Sequence, residues 1–348
     1  MENTREKRLE YIKRIEEIRG SHVITFLTSL RQNVPAQIEG DSVREFFDQL
    51  HLLPEKPVSN LDIFLVSNGG SGVVPWRLMA LFREFSDKFS VLIPYRAYSA
   101  ATLISIGADE IVMHPFGELG PIDPTVSNAF NPVDNINRLQ GVSVEDVKAY
   151  ITFVKNTVGI THEDELVQAL NALTEKVHPL ALGNVERFLS QSRMMARKIL
   201  KTHMDDKDSH IIDDIIENLA SKLYFHGHPI NRKEAKDDLK LKVVTDLPPD
   251  LETTMWDLYE IYEKEFNNRE IFNPPSLLFS QVDTNARENG PFTADVELLL
   301  TVLESTRLTS MCKVKRRYST GVFQHGQHPA IREDVLELKW SRFLASAG

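Results

Sequence analysis

Two short stretches of this 348-residue chain could do chemistry: a glycine pair, Gly69-Gly70, and a serine followed by two small residues, Ser99-Ala100-Ala101. Adjacent glycines allow positive φ and leave backbone N–H groups unshielded by a Cβ. A serine at a helix N-terminus lies where the partial positive charge favours an alkoxide or oxyanion. Combined, they describe a nucleophile, Ser99, facing oxyanion donors from Gly69, Gly70 and the Ala100 N–H. The plainer reading makes Ser99 a helix N-cap, a position serine often fills.

That chemistry requires both turns on one edge of a sheet. Residues 61–66 (LDIFLV) are branched and apolar, the pattern of a buried strand, and end at the glycine pair. Residues 74–85 follow helical spacing, with Leu78, Leu81, Phe82 and Phe85 on one face. A second strand is predicted at 90–93, a helix from Tyr98 onward, and a third strand at 110–113. Parallel strands joined by such crossovers end on the same edge, which brings the glycine turn and Ser99 together.

Bulk properties exclude several classes. Fifty acidic residues against 40 basic ones give a net charge of −10, leaving no excess cation for a nucleic-acid backbone. The basic cluster from Lys313 to Arg317 reads as a solvated strand. The single cysteine, Cys312, excludes an internal disulfide and fits a reducing cytoplasm. The N-terminal run MENTREKRLEYIKRIEE is dense in charge, which predicts no signal peptide, and no window has the apolar length of a membrane span. No Walker, dinucleotide-glycine, HExxH or GxSxG pattern occurs, so no cofactor is expected and any ATPase would be a separate protein. His226-Gly227-His228 and the His325/His328 pair lack a third ligand, so no metal site is expected either.

The remaining elements follow from periodicity. Residues 2–19 form a charged helix with Leu9, Ile12, Ile15 and Ile18 on one side, and 21–30 are strand-like. Helices are expected at 42–52, 143–158 (with Ser143 and Asp146 as a capping box), 163–176 and 184–203. Asn231 is placed to cap a helix containing Glu234 and Ala235. Residues 126–138 are polar and loop-like. Three divisions are expected: an N-terminal helix (1–20), a body (21–249), and an α+β extension (250–348) with strands at 296–304, 310–318 and 335–343.

The Gly-Gly turn, the serine before small residues, the segment GADEIVMHPFGELGPIDP and the later HGHPINRKEAK together resemble the Clp-fold serine proteases. The nearest resemblance is to the serine dehydrogenase proteinase family, relatives of signal peptide peptidase A, over roughly residues 20–245. It implies an α/β fold of the Clp/crotonase type, a β-β-α superhelix, here followed by a small C-terminal β-rich extension. It also implies projecting helices that make subunit contacts in a homo-oligomer. This chain carries Ala101 where that group has a glycine.

A serine hydroxyl needs a base. Among the relatives the base is either a histidine at the end of the next strand or a lone lysine. The corresponding stretch here is Gly120-Pro121-Ile122-Asp123, without histidine, which fits the lysine type. Such a lysine must be desolvated to be neutral near pH 7. Lys148 and Lys155 follow Ser99 at a suitable distance and lie seven residues apart, on nearly one side of a helix. The apolar flank Phe153-Val154 favours Lys155. Lys176 and His114 are further candidates, and His178 and His226 could orient the base. The expected function is an ATP-independent cytoplasmic serine peptidase acting on peptides or unfolded proteins. The alternatives are a non-catalytic oligomeric scaffold that binds peptides and, less favoured, a crotonase-like acyl-CoA enzyme.

Overall fold

The computed structural model describes residues 2–122, 125–126, 129–134, 139–222, 228–280, 292–320 and 331–344. Helix α1 (Glu2–Arg19) leads into β1 (His22–Thr28), α2 (Ser42–His51), β2 (Val58–Val66), α3 (Val74–Phe85), β3 (Ser86–Ile93), β4 (Arg96–Ala97), α4 (Ala100–Ser105), β5 (Glu110–Met113) and β6 (Glu118–Leu119). Two-residue strands β7 (Thr125–Val126) and β8 (Val142–Ser143) precede α5 (Val144–Thr152), α6 (Glu163–Thr174), α7 (Pro179–Leu200) and α8 (Ser209–Glu217). The chain continues through β9 (Ile230–Asn231), α9 (Arg232–Asp237), β10 (Val243–Val244), α10 (Pro249–Glu265) and α11 (Pro274–Ser280). It finishes with β11 (Thr293–Glu304), β12 (Leu308–Thr320) and β13 (Ile331–Leu344).

Eight strands form the main sheet in the order β10-β5-β3-β2-β1-β11-β12-β13. From β10 to β1 the strands are parallel; β11, β12 and β13 are antiparallel to their neighbours. A parallel sheet must be covered on both faces, so its strands are mainly apolar on both sides. The period of two is visible in β2. Leu61, Ile63 and Leu65 pack with α2, α3 and α4 residues such as Phe46, Leu78 and Ala101, while Phe64 and Val66 pack with Ile12 and Ile15 of α1 and Met255 and Leu258 of α10. Asp62, on the second face, is buried and bound by Arg19 at 3.0 Å and Ser21 at 2.7 Å.

Several elements run past their expected bounds. β2 and β3 begin earlier, because Val58 and Ser86 already pair across the sheet. α7 starts at Pro179, five residues before the expected helix; His178 Nδ1 accepts from the Leu180 N–H at 3.1 Å and supplies the cap. The expected helix over 143–158 changes character after Thr152, where 153–157 form a π-helical turn. The side chain of Ser143 lies outside the described residues. α6 buries none of its residues. The C-terminal strands attach to the body: β11 pairs with β1, from Thr25 opposite Glu304 to Thr28 opposite Thr301.

Candidate active site

The two turns meet at the C-terminal edge of the parallel strands. The Ser67 N–H donates to the Arg96 carbonyl at 2.8 Å, and the Tyr98 N–H donates to the Ser67 carbonyl at 2.9 Å. This short ladder lays the end of β2 against the approach to Ser99. Gly69 has φ +101°, and a Cβ there would stand 2.7 Å from both the Ser99 Cβ and the Tyr98 carbonyl oxygen. Only glycine permits that approach. At Gly70 a Cβ would fall 2.4 Å from the Ile38 backbone, which bonds on either side of it: Ile38 N–H to Gly69 O at 2.8 Å and Ser71 N–H to Ile38 O at 2.9 Å.

The amides of the bend are not equivalent. Gly69 N–H donates to Ser67 Oγ at 3.0 Å, and that hydroxyl is fixed in turn by Thr28 Oγ1 at 2.8 Å. Among the described residues the Gly70 and Ala100 N–H groups have no hydrogen-bond partner.

Ser99 is half-buried, directly before α4, with φ +52° and ψ −112°. A non-glycine residue rarely adopts this conformation, and it costs about 1–3 kcal/mol. The serine occupies the N-cap position, yet its side chain makes no capping bond. The Ala101 N–H is satisfied by the Tyr98 carbonyl at 2.9 Å instead. Among the described residues Ser99 Oγ has no hydrogen-bond partner. Ala101 is fully buried in the core beneath the site.

Sequence reasoning did not find the supporting residues. Tyr98 Oη donates to Glu118 Oε2 at 2.5 Å, and Arg96 stands 3.6 Å from the same carboxylate. Burial, and then the bond to Glu118, push the Tyr98 phenol far above its usual range. A Cβ at Gly120 would meet the Tyr98 ring at 2.8 Å. Thr102 Oγ1 lies 2.8 Å from the Ala97 and Gly120 carbonyls, tying α4 to β4 and to the turn after β6. The one signal available was the GELG segment, which contributes Glu118 and Gly120; Asp123 and Pro124, at its end, lie outside the described residues.

The candidate bases are less closely grouped. Lys148 is half-buried on α5, whereas Lys155 is exposed on the π turn. The wider turn breaks the helical phase that would have kept the pair on one side. Helix α5 packs on α7, which packs on α4 behind Ser99. Among the described residues no hydrogen bond joins either lysine to Ser99. Lys176 is exposed. His178 serves as the α7 cap and stacks on Phe130 at 5.1 Å. His114, its pKa lowered by burial, accepts from the Phe116 N–H and stacks on Trp256 at 5.0 Å. His226, Gly227, His325 and His328 lie outside the described residues; His228 bonds Glu234 at 2.8 Å. Asn231 Oδ1 caps α9, accepting from Lys233 and Glu234. Among the described residues no group of three or more His, Cys, Asp and Glu could hold a metal ion. No helix among them is long and apolar enough to cross a membrane. An open pocket of about 370 Å³ lies along the same sheet edge, lined in part by Leu30, Tyr95, Arg96, Tyr259 and Ile271.

A parallel sheet with β-α crossovers, whose second strand ends in a glycine bend against a strained serine, is a Clp-type α/β architecture. Residues 1–281 match the family of ClpP-like SDH-type serine proteinases, and the chain belongs to that family. One uncharacterized protein of Methanocaldococcus jannaschii is 23% identical over 289 residues, covering 81% of this chain and 84% of its own. Another from the same organism is 24% identical over 269 residues, covering 75% of this chain and 80% of its own. Two solved variants of 1510-N, a membrane-bound stomatin-specific protease, are similar at 13% identity. One, in complex with a substrate peptide, has a TM-score of 0.38 and covers 65% of this chain and 75% of its own. The other has a TM-score of 0.37 and covers 67% and 84%.

Proposed function

We propose that the chain is a serine peptidase in which Ser99 attacks the peptide carbonyl. The observation that carries this reading is the backbone of Ser99, strained at φ +52° with its hydroxyl uncommitted among the described residues. The Gly70 and Ala100 N–H groups are proposed as oxyanion donors, with Gly69 setting their distance from Ser99. Family membership supports a peptide substrate, and the pocket along the sheet edge, whose lining mixes Glu263, Asn268 and Arg269 with Leu30, Tyr95 and Tyr259, has the size for a substrate side chain. The base is proposed to be Lys148. Lys148 is half-buried on α5, which packs on α7 and through it on α4, whereas Lys155 is exposed on the π turn. We also read the protein as independent of ATP, cytoplasmic and homo-oligomeric. Supporting these points are the absence of a phosphate-binding glycine motif, the single buried cysteine, and a helix α6 that buries nothing within its own chain.

Labelling with a fluorophosphonate probe tests the nucleophile: wild-type protein should label and Ser99→Ala should not. Equal labelling of both would remove Ser99 from the mechanism. With unfolded casein and no nucleotide, Lys148→Ala should lose about 10²–10⁴ in kcat, as removal of a general base does. Lys155→Ala should stay near wild type; the reverse ranking would transfer the role to Lys155. A peptide-binding scaffold without catalysis is the second reading, and the lack of a lysine bonded to Ser99 among the described residues favours it. Binding of casein without cleavage by intact protein would establish that reading.

A further inference from the structure

β13 closes the main sheet, and among the described residues no strand pairs with its outer side. It is 14 residues long, contains no proline, and follows β12 from Ile331 opposite Thr320 to Leu344 opposite Leu308, with a register shift near Leu336. Proteins usually protect such an edge by making it short or by placing proline or charged side chains on it, and β13 uses only the last of these, with six charged residues among its fourteen. Between those charges it exposes large apolar side chains: Val335 is 62% exposed, Leu338 58% and Leu344 70%. One face of its C-terminal half is held on α2, through Trp340 Nε1 to Asp41 at 2.7 Å and Arg342 to Glu45 at 2.6 Å. Those anchors fix the strand in place and leave its free edge open.

The charges along β13 are divided by halves. Residues 331–337 carry Arg332 against Glu333, Asp334 and Glu337, a net −2, while 338–344 carry Lys339 and Arg342, a net +2. Each has local partners: Glu337 with Lys339, Arg332 with Asp334, Glu333 with Arg316, and Arg342 on α2. Yet all six side chains stay more than a third exposed and within reach of a neighbouring strand. A strand acidic in one half and basic in the other is complementary to itself when antiparallel and repulsive when parallel.

We propose that two copies of this chain join β13 to β13, antiparallel across a two-fold axis, with Leu338 opposite Leu338 of the second copy. In this register Glu337 of each copy faces Lys339 of the other, and Leu336 faces Trp340. A two-fold contact is self-complementary by necessity, and this sequence meets that requirement. Backbone pairing supplies the affinity and the alternating side chains supply the register. The sixteen-stranded sheet that results does not depend on the role of Ser99, and it uses a surface remote from α6 and α7.

Sedimentation of the full chain over a range of micromolar concentrations tests this. Glu337→Lys and Lys339→Glu each place two pairs of like charges across the axis and should weaken the dimer about tenfold. The double exchange restores opposite charges and should return the wild-type constant; far-ultraviolet circular dichroism of all four proteins should agree, since both side chains are about half-exposed. If α6 and α7 also assemble, the single exchanges should halve the mass of the assembly. A wild-type monomer at every concentration, single exchanges that assemble like wild type, or a double exchange that fails to recover would each overturn the proposal.

Discussion

Ser99 keeps an unfavourable backbone angle because its neighbours leave no alternative. The Ser67 ladder, the Gly69 contact and the Thr102 bridge each constrain one side of it. Gly69→Ala should therefore do more than remove flexibility. Its new Cβ would lie 2.7 Å from Ser99 Cβ, at a φ that L-residues avoid, so a loss of about 2–4 kcal/mol is expected in urea unfolding. Probe labelling of Ser99 should fall with it, and a near-neutral result would mean that the bend and the serine are not in contact. The glycine pair was legible in the sequence, but its division of labour was not. Read from spacing, both amides look available. In the fold, Gly69 N–H is taken by Ser67 Oγ, and the residue contributes closeness where a donor was expected. The bond to Ser67 is local to the bend, but the closeness is not, because the space beside Gly69 is closed by Tyr98 and Ser99.

At the scale of elements, helix α1 is fastened by a buried ion pair that no sequence pattern announces. Arg8 meets Glu304 of β11 at 2.7 Å, and both are almost completely buried. The carboxylate also accepts from Tyr262 Oη of α10 at 2.6 Å and Thr309 Oγ1 of β12 at 2.7 Å. Four elements therefore share one carboxylate. Arg8→Ala would strand a buried charge and should cost about 3–5 kcal/mol. Replacing the pair together, Arg8→Leu with Glu304→Leu, should cost less than the single change. Denaturant midpoints of the three proteins would show it, and a single variant no worse than the double would refute the coupling. The apolar stripe Ile12/Ile15 was readable as a packing face. Its partner, α10, lies more than 200 residues away and was not. The π turn after Thr152 is a similar case, since hydrophobic spacing carries no sign of a widened helix.

Across the whole molecule, three half-buried histidines tie stability to pH. Burial lowers the pKa of His22, His114 and His203 from the usual 6.5. His203 Nε2 is 2.8 Å from the Ile106 carbonyl, beside an apolar cavity of about 260 Å³, and Lys242 and Arg83 further disfavour its charge. A depressed folded-state pKa means that the unfolded chain binds more protons as pH falls through 6.5. The stability these residues contribute is complete above pH 6.5 and is lost as pH drops toward their folded values. Melting temperature should thus decline on acidification from neutrality, and His203→Gln should flatten the decline. A profile that rises on acidification through this range would contradict it.

Periodicity is a local property, and the sequence by itself determined what depends on it: the β-α-β order around the glycine bend and Ser99, the common edge of the parallel strands, the Asn231 cap and the three C-terminal strands. Contacts between distant segments decided the rest. These include the docking of β11 on β1, the clasp of Arg8 on Glu304, the hold of Tyr98 on Glu118, and the different exposure of Lys148 and Lys155. Those outcomes turn on which surfaces meet and which water is expelled, and a chain specifies that only when all of it is packed at once.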